Sequence, residues 1–407
     1  MRMLSRGCQA VRSKAPNDVV VLSAVRSPIT RSFKGKFKDA WPEDILAPVM
    51  AEAPRRAKID PQDVQDVLIG NVLAELGFAK TGRMALLHAG FPVSTTFHTV
   101  NRQCSSSLQA VMHLANSISA GQIDVAMAGG VESMSKNYTT RGVPIDVGPT
   151  LRATPVKSAA DCLMPMGITS ENVARRYGVD RQMQDEFALL SHTRAINAQA
   201  QGRFYSETVP VEYNMLDSES GEKTTIRVET DDTIRPGVTM EKLAKLKPAF
   251  IENGGSTAGN SSQISDGASA VILARRSWAA ERGIEPIGRF LGAKVTGCEP
   301  DEMGIGPLHA INSLYKHIGM AQRDVDIFEL NEAFASQTLA CINELGLDVA
   351  KVNPNGGAIA LGHPTGATGC RQLATLLSEL YRRDEEVGVI SMCASTGLGV
   401  AAAFARE

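Results

Sequence analysis

Short runs of β-branched and aliphatic residues alternate with amphipathic helical segments along two parts of this 407-residue chain, and this rhythm limits the fold more than any other feature. In the first part the pattern predicts strands at 18–24, 66–72, 96–100 and 125–129, and helices at 43–57, 83–89 and 104–120. In the second part it predicts strands at 271–274, 287–293, 325–330, 387–392 and 400–404, and helices at 307–318, 333–345 and 369–381. We therefore predict an α/β protein of two similar halves, with parallel strands and helices on both faces. Pro48 and Pro54 are expected to bend or interrupt the helix at 43–57.

The alternation of strands and helices is interrupted between residues 134 and 264, which indicates an insertion. Helices are predicted around 171–177 and at 182–201, followed by a polar, hairpin-like segment at 209–228. Basic residues then gather beside the small-residue run 254–262: Arg235, Lys242, Lys245 and Lys247. Either they form a solvated basic face, or they bind an anionic, phosphate-bearing ligand.

Bulk composition excludes several classes of protein. The net charge is −2, which gives no general field for nucleic acid or a membrane surface, and the apolar runs are too short to span a bilayer. The seven cysteines form no C-x-x-C pair and no regular spacing. This argues against a zinc site or a disulfide framework and favours a reducing compartment.

The first eighteen residues look separate from the fold. Arg2, Arg6, Arg12 and Lys14 precede the first acid, Asp18, and the segment lacks the apolar core of a secretory signal. Arg2-Met3, five residues, then Gln9-Ala10 resembles a degenerate amino-terminal peroxisomal targeting signal. An arginine-bearing, acid-free stretch also suits a mitochondrial presequence, and a disordered basic tail is the third interpretation.

Cys104 stands where a predicted strand gives way to a predicted helix, with Ser105 to Ser107 as candidate N-caps. The helix dipole and the free N–H groups of the first turn would favour the thiolate there, which is the state of a cysteine nucleophile. The alternative is a small buried hydrophobe at a helix start.

Three further turns place polar residues near the ends of strands in the second half, the edge where open α/β sheets collect their sites. They are 331–334 (Asn-Glu-Ala-Phe), the glycine-rich run 356–369 with His363, and 393–399 beginning at Cys393. Taken singly, His363 could be structural, Cys393 could be core, and the glycine run could bind phosphate. The run has neither the lysine of a Walker loop nor the Rossmann spacing.

Taken together, these motifs resemble the thiolase family over nearly the whole chain after residue 18. The matching segments occur in the family's order: 129–135 (GGVESMS), 166–172 (MGITSEN), 257–262 (TAGNSS), 331–334 (NEAF) and 362–364 (GHP). The sequence of residues 162–173 is most similar to the peroxisomal 3-ketoacyl-CoA branch of that family.

The resemblance implies a duplicated, five-layered αβαβα core with an inserted loop domain. It divides the chain into a tail at 1–18, an N-terminal half at 19–133 plus 265–283, a coenzyme A-binding loop domain at 134–264, and a C-terminal half at 284–407. It also implies a homodimer or dimer of dimers, with acyl-CoA and coenzyme A as the small-molecule partners. Coenzyme A would be a co-substrate, with no metal or prosthetic group. A peroxisomal import receptor would be a further partner, and the peroxisome matrix the expected location, with the mitochondrial matrix as the alternative.

The resemblance further implies a role for each site residue. Cys104 attacks the ketone and carries the acyl group, His363 takes its proton, and Cys393 protonates the departing acetyl-CoA carbanion. Asn331 holds a water that, with His363, binds one thioester oxygen, while the backbone N–H groups of Cys104 and Ser395 bind the other. The acyl-pantetheine tunnel and the coenzyme A contacts are assigned to Met166, Phe334, Ser262 and Arg235.

Two serines depart from the family pattern, because the family usually has glycine at Ser107 and at Ser395. If either glycine had a positive φ, a side chain there would cost about 1–2 kcal/mol of strain. We expect an active 3-ketoacyl-CoA thiolase of β-oxidation with an altered chain-length preference. The alternatives are an acetoacetyl-CoA thiolase, which condenses two acetyl-CoA, and a catalytically weakened acyl-CoA-binding protein.

Overall fold

The protein is described by a computed structural model that covers residues 13–142, 144, 146–216 and 220–407. The residues of the predicted targeting signal, Arg2, Met3, Gln9 and Ala10, lie outside the described part of the chain. The strands are β1 (Val19–Arg26), β2 (Thr30–Arg31), β3 (Asp66–Gly70), β4 (Thr96–Val100), β5 (Val125–Ser133), β6 (Val211–Leu216), β7 (Lys223–Val228), β8 (Ser265–Arg275), β9 (Gly288–Gly297), β10 (Ile327–Leu330), β11 (Val387–Ala394) and β12 (Leu398–Arg406).

The eight helices predicted from the periodicity are present with shifted ends. Among the described residues, six further helices were not predicted; they lie at 134–141, 149–152, 157–161, 240–244, 276–281 and 358–361. In chain order the helices are α1 (Pro42–Ala57), α2 (Ala79–His88), α3 (Ser106–Ser119), α4 (Met134–Arg141), α5 (Pro149–Arg152), α6 (Lys157–Asp161), α7 (Met166–Arg176), α8 (Arg181–Ala200), α9 (Met240–Ala244), α10 (Arg276–Glu281), α11 (Gly306–Ile318), α12 (Ala335–Leu345), α13 (Ala358–Leu361) and α14 (Thr368–Arg383). The predicted interruption of α1 is wrong, because the helix continues through Pro48 and Pro54. Its buried face packs on β1 and β8, and that packing offsets the local cost of the prolines.

The main sheet is mixed, so the prediction of parallel pairing is only partly right. Its strand order is β10-β11-β12-β9-β1-β8-β5-β3-β4, with β2 paired to β8. Pairing is parallel between β3 and its neighbours β4 and β5, and between β10 and β11, whereas β1, β8, β9 and β12 pair antiparallel. Each half therefore has a parallel part and an antiparallel part, and β1 meets β9 where the halves join.

Alternate side chains of the strands divide the core into layers, which confirms the predicted five-layered αβαβα fold. Val20, Val67 and Ile272 face α1 and α2 on one outer side. Val21, Leu68 and Leu273 face the opposite way, towards α3 and α14 at the centre. The far face of α14 packs on strand residues of the second half such as Ile390 and Ala402, and that half is covered on its outer side by α11 and α12.

The segment between β5 and β8 holds α4 to α9 and the antiparallel hairpin β6–β7. Of these, the sequence predicted α7, α8 and the hairpin. The hairpin packs against the core beside α1 through Val211, Tyr213 and Val228. Helix α8 packs against α12 and α13, close to the carboxyl ends of the second-half strands. Within the described residues, no helix is both long and apolar enough to cross a membrane.

Candidate active site

Cys104 lies in a tight turn between β4 and α3. Gln103 occupies the left-handed region with φ 50°, which turns the chain immediately before the cysteine. The serine hydroxyls hold this turn, since Ser105 Oγ donates to the Arg102 carbonyl (2.9 Å) and Ser106 Oγ donates to the Gln103 carbonyl (2.6 Å). The predicted N-cap is only partly right, because Ser105 is the N-cap residue but its side chain makes no capping bond.

The Cys104 thiol is desolvated, and burial raises its pKa to about 11. The backbone N–H groups of Ser395 and Cys104 act in the opposite direction, because both hydrogen-bond the thiolate, while the carboxylate of Glu132 raises the pKa further. The predicted preference for thiolate at rest is therefore wrong. Cys104 precedes the first helical residue, Ser106, and the desolvation cost exceeds the help from the two N–H groups.

His363 is buried, and its hydrogen bonds define its tautomer. Thr368 Oγ1 lies 3.0 Å from the Pro364 carbonyl, to which it donates its single proton, and 2.7 Å from His363 Nδ1. Nδ1 must therefore carry a proton and donate to Thr368, which leaves Nε2 unprotonated. Burial lowers the pKa of His363 to about 3, with a smaller contribution from Arg371, so the ring is neutral at physiological pH.

Asn331 meets the free ring nitrogen of His363. It follows β10, and its backbone N–H donates to the Ser391 carbonyl of β11 (2.9 Å). Its Nδ2 lies 3.3 Å from His363 Nε2, while its buried Oδ1 has no hydrogen-bond partner among the described residues. The amide nitrogen of Asn331 thus meets the imidazole, while its oxygen is left as an unused acceptor.

Cys393, near the end of β11, is fully buried in a small apolar cluster with Met303, Ala333 and Phe334, against which Met166 packs. Burial raises the pKa of its thiol well above the ordinary value, and the charge of a Cys104 thiolate would raise it further. The two sulfurs therefore lie within electrostatic range of each other. Both thiols are protonated at rest.

The remaining predicted site residues collect around this centre. Met166 and Phe334 line the Cys393 cluster, and Ser395 presents its N–H to the Cys104 sulfur. Ser262 donates its backbone N–H to the Ala333 carbonyl (3.0 Å), which docks the 257–262 run onto the Asn331 loop. Arg235 Nη2 donates to Gln263 Oε1 (2.9 Å). The Gln263 carbonyl in turn accepts from the backbone N–H of His363 (3.0 Å).

The two departures from the family pattern lie in ordinary backbone. Neither Ser107 nor Ser395 has a positive φ, whereas Thr396, directly after Ser395, does (70°). The expected strain from a serine Cβ is therefore absent at both positions. The Ser107 side chain is buried between α3 and α14, where its Oγ accepts the backbone N–H of Cys370 (3.1 Å).

Sequence reasoning missed three residues that hold the site together. Thr368 sets the His363 tautomer. Its position in the glycine-rich run, five residues after the histidine, was the signal that could have identified it. Gln263 ties the His363 backbone to 233 and to 359–360 through donations from Nε2 to the carbonyls there. Glu132 lay within a quoted motif, but nothing in that motif indicated its partners. Among the described residues, no cluster of three or more His, Cys, Asp and Glu side chains could hold a metal ion.

Two models of protein domains from one family match consecutive parts of this chain. The model of the thiolase N-terminal domain matches residues 19–277, and that of the C-terminal domain matches 284–406. The chain belongs to the thiolase family. This thiolase is 49% identical to the peroxisomal 3-ketoacyl-CoA thiolase of Yarrowia lipolytica over 99% of this chain and 96% of that protein.

Two solved structures of the Saccharomyces cerevisiae enzyme superpose on this thiolase. One, described as a dimeric peroxisomal thiolase, gives a TM-score of 0.90 at 44% identity and covers 98% of this chain and 100% of that one. The other is described as a five-layered structure built from two core domains of identical topology, and gives 0.79 at 39% identity over 97% and 100%.

Proposed function

We propose that this thiolase uses coenzyme A to cleave 3-ketoacyl-CoA into acetyl-CoA and an acyl-CoA two carbons shorter, the thiolytic step of fatty acid β-oxidation. The observation that carries the proposal is the placing of the Cys104 sulfur against two backbone N–H groups, within range of a second thiol, Cys393. A neutral His363 with its Nε2 unprotonated completes the set. Carbon–carbon cleavage next to a carbonyl needs these parts: a nucleophile, a base, an oxyanion site and a second acid.

In the first half-reaction the Cys104 sulfur attacks the ketone carbon of the substrate while His363 Nε2 takes its proton, because full transfer beforehand from a thiol of pKa about 11 to a ring of pKa about 3 would be strongly unfavourable. The C2–C3 bond then breaks, and the electron pair passes to the acetyl-CoA fragment as an enolate. Cys393 protonates that enolate, and the remaining acyl group stays on Cys104 as a thioester. Because the resting thiol has a pKa of about 11, attack depends on the histidine.

In the second half-reaction the Cys393 thiolate takes the proton of the incoming coenzyme A thiol. The coenzyme A sulfur attacks the acyl-Cys104 thioester, and the released Cys104 thiolate recovers its proton from His363. The N–H groups of Cys104 and Ser395 are suited to one thioester oxygen. Asn331 Oδ1 is suited to a water that binds the other oxygen together with His363.

The partners and location belong to the same proposal. Residues 134–264 would form the loop domain that holds coenzyme A, with Arg235 and Ser262 touching it, between halves at 19–133 plus 265–283 and at 284–407. Met166 and Phe334 would line the acyl-pantetheine tunnel. Coenzyme A would act as co-substrate without a metal or prosthetic group, in a homodimer or dimer of dimers. The peroxisome matrix is the proposed location, reached through an import receptor, because the similar relatives are named as peroxisomal enzymes.

The deciding experiment compares coenzyme A-dependent cleavage of acetoacetyl-CoA and of a long-chain 3-ketoacyl-CoA, with Cys104→Ala as the blank. We expect cleavage of the long chain by the wild-type protein and none by the variant. Activity on acetoacetyl-CoA alone would favour the short-chain thiolase. Acyl-CoA binding without release of acetyl-CoA from either substrate would favour a binding protein and contradict the proposal.

A further inference from the structure

We propose that Glu132 is a positioning residue that clamps the His363 loop to the N-terminal half and so sets the base against Cys104. The inference rests on the proposed roles of Cys104 and His363. Glu132 stands near the end of β5, has no exposed surface and belongs to a motif to which the mechanism assigns no role.

The Glu132 carboxylate accepts hydrogen bonds from two separate segments. From the chain after β3 it receives the N–H groups of Val72 (3.1 Å) and Leu73 (3.2 Å) and the side-chain amide of Asn71 (3.4 Å). From the chain after His363 it receives the Thr365 hydroxyl (2.8 Å) and the Gly366 N–H (3.1 Å). One buried carboxylate thus joins β3 and β5 to the loop after His363. It holds the second and third residues after that histidine, Thr365 and Gly366.

Backbone packing leaves this loop little freedom to move elsewhere. A Cβ built on Gly130 would lie 2.0 Å from the Gly366 carbonyl oxygen, and one on Gly366 would lie 2.7 Å from the Val131 carbonyl oxygen. The two chains therefore touch along their backbones beside the clamp. Thr365 and Gly366 also lie between His363 and Thr368, whose hydroxyl defines the histidine tautomer.

An amide could not replace this carboxylate. All five donors of the clamp are neutral N–H or O–H groups, and a carboxylate offers acceptor sites on both oxygens. A glutamine would offer one acceptor oxygen, and its NH₂ group would face donors. Glutamine has the same shape as glutamate, but it would lose the hydrogen bonds on one side of the clamp.

The test is Glu132→Gln in the full-length enzyme, with Glu207→Gln as the matched control. Glu207 is also a buried glutamate, and it accepts from Arg26 and from Thr375 on α14, without touching the His363 loop. For Glu132→Gln we expect kcat for 3-ketoacyl-CoA cleavage to fall by about 100-fold, the loss typical of a misplacement near 1 Å, with KM little changed. For Glu207→Gln we expect lower stability with kcat within about twofold of wild type.

A second readout separates positioning from a general loss of structure. The Cys104 thiol faces Glu132, Cys393 and the Ser395 N–H, and Glu132 is the one whose charge the variant removes. The pH midpoint of Cys104 alkylation by iodoacetamide should therefore move to lower pH in Glu132→Gln, although kcat falls. Loosening of the structure would also lower the midpoint, because it solvates the thiol whose pKa burial raises. The midpoint is therefore compared with that of Glu207→Gln, in which only a loosened structure could move it.

Thr365→Val keeps the proposal testable if Glu132→Gln does not fold, because it removes one donor on the loop side only. We expect a smaller fall in kcat, by about tenfold, with normal substrate affinity. Wild-type kcat in Thr365→Val, or in a folded Glu132→Gln, would overturn the proposal. So would an equal fall in kcat in Glu207→Gln, because the loss would then follow from any buried glutamate and not from the clamp. Full activity in Cys104→Ala would instead overturn the proposed function, so the two failures are distinguishable.

Discussion

At the scale of single residues, burial keeps the two thiols and the histidine of the site neutral in the free protein. Burial raises the pKa of both thiols and lowers that of His363, so neither a thiolate nor an imidazolium is present at rest. The Thr368 hydroxyl keeps the proton on Nδ1 and leaves Nε2 as the base. In the proposed mechanism, the loss of the Cys104 proton to His363 therefore accompanies attack on the substrate.

The raised pKa of Cys104 predicts how the wild-type enzyme reacts with iodoacetamide. Because the thiolate is the reactive form, the alkylation rate should rise about tenfold per pH unit from pH 7 to 10 and level off only near pH 11. Site-resolved mass spectrometry measures the rate at Cys104. Alkylation of Cys162 in the same digest shows that the reagent is active. An alkylation rate that levels off near pH 8 would contradict the raised pKa. It would instead support the thiolate that the helix dipole was predicted to stabilise.

Thr368→Val tests the tautomer. Without the hydroxyl, Nδ1 loses its acceptor and Nε2 is no longer kept free, so kcat should fall by at least about tenfold. Thr375→Val is the matched control, because that hydroxyl lies two turns along the same helix and bonds Glu207 and the Arg371 carbonyl. Equal kcat values for the two variants would remove the tautomer argument.

At the scale of elements, the central helices α3 and α14 support each other at their N-termini. The N-cap of α14, Ala367, has no capping side chain, and the third helical N–H, that of Cys370, is instead bonded by Ser107 of α3. The serine that replaces the family glycine therefore caps a neighbouring helix.

Ser107→Ala should destabilise the fold by about 1 kcal/mol, the usual cost of losing an N-cap bond. The free energy of unfolding in urea measures the loss, and Ser119→Ala is the control, since that serine is exposed at the end of the same helix. We expect the control to stay within about 0.5 kcal/mol of wild type. Equal stability of the two variants would mean that the Ser107 bond contributes nothing.

At the scale of the molecule, buried charges tie the inserted segment to the core. Arg26 on β1 donates to Glu207 (2.7 Å) and through two nitrogens to Asp231 (2.7 and 2.9 Å), and all three side chains are buried. Both carboxylates come from the chain between β5 and β8. Residues far apart in sequence are thus fixed around one guanidinium.

Arg26→Ala should cost about 3–5 kcal/mol, because it leaves two carboxylates buried without their cation. Arg55→Ala is the control: Arg55 pairs with Glu52 on the exposed side of α1, where water screens an ion pair and leaves it little effect on stability. Chemical denaturation of both variants gives the comparison. A cost for Arg26→Ala as small as for Arg55→Ala would show that the insertion does not depend on this cluster.

The sequence by itself determined most strands, the longer helices, the fold class and the family, because periodicity is local and the motifs keep their order along the chain. It did not predict β2 or short helices such as α5 and α13, because so few residues carry no clear periodicity. It did not determine strand direction, because β1 and β8 pair over a separation that no local pattern records. It also gave the wrong charge for Cys104 at rest, because the desolvation that raises the thiol pKa exists only after folding. The Glu132 contacts were hidden for the same reason, since the donors at 71–73 and 365–366 meet one carboxylate only in the tertiary structure.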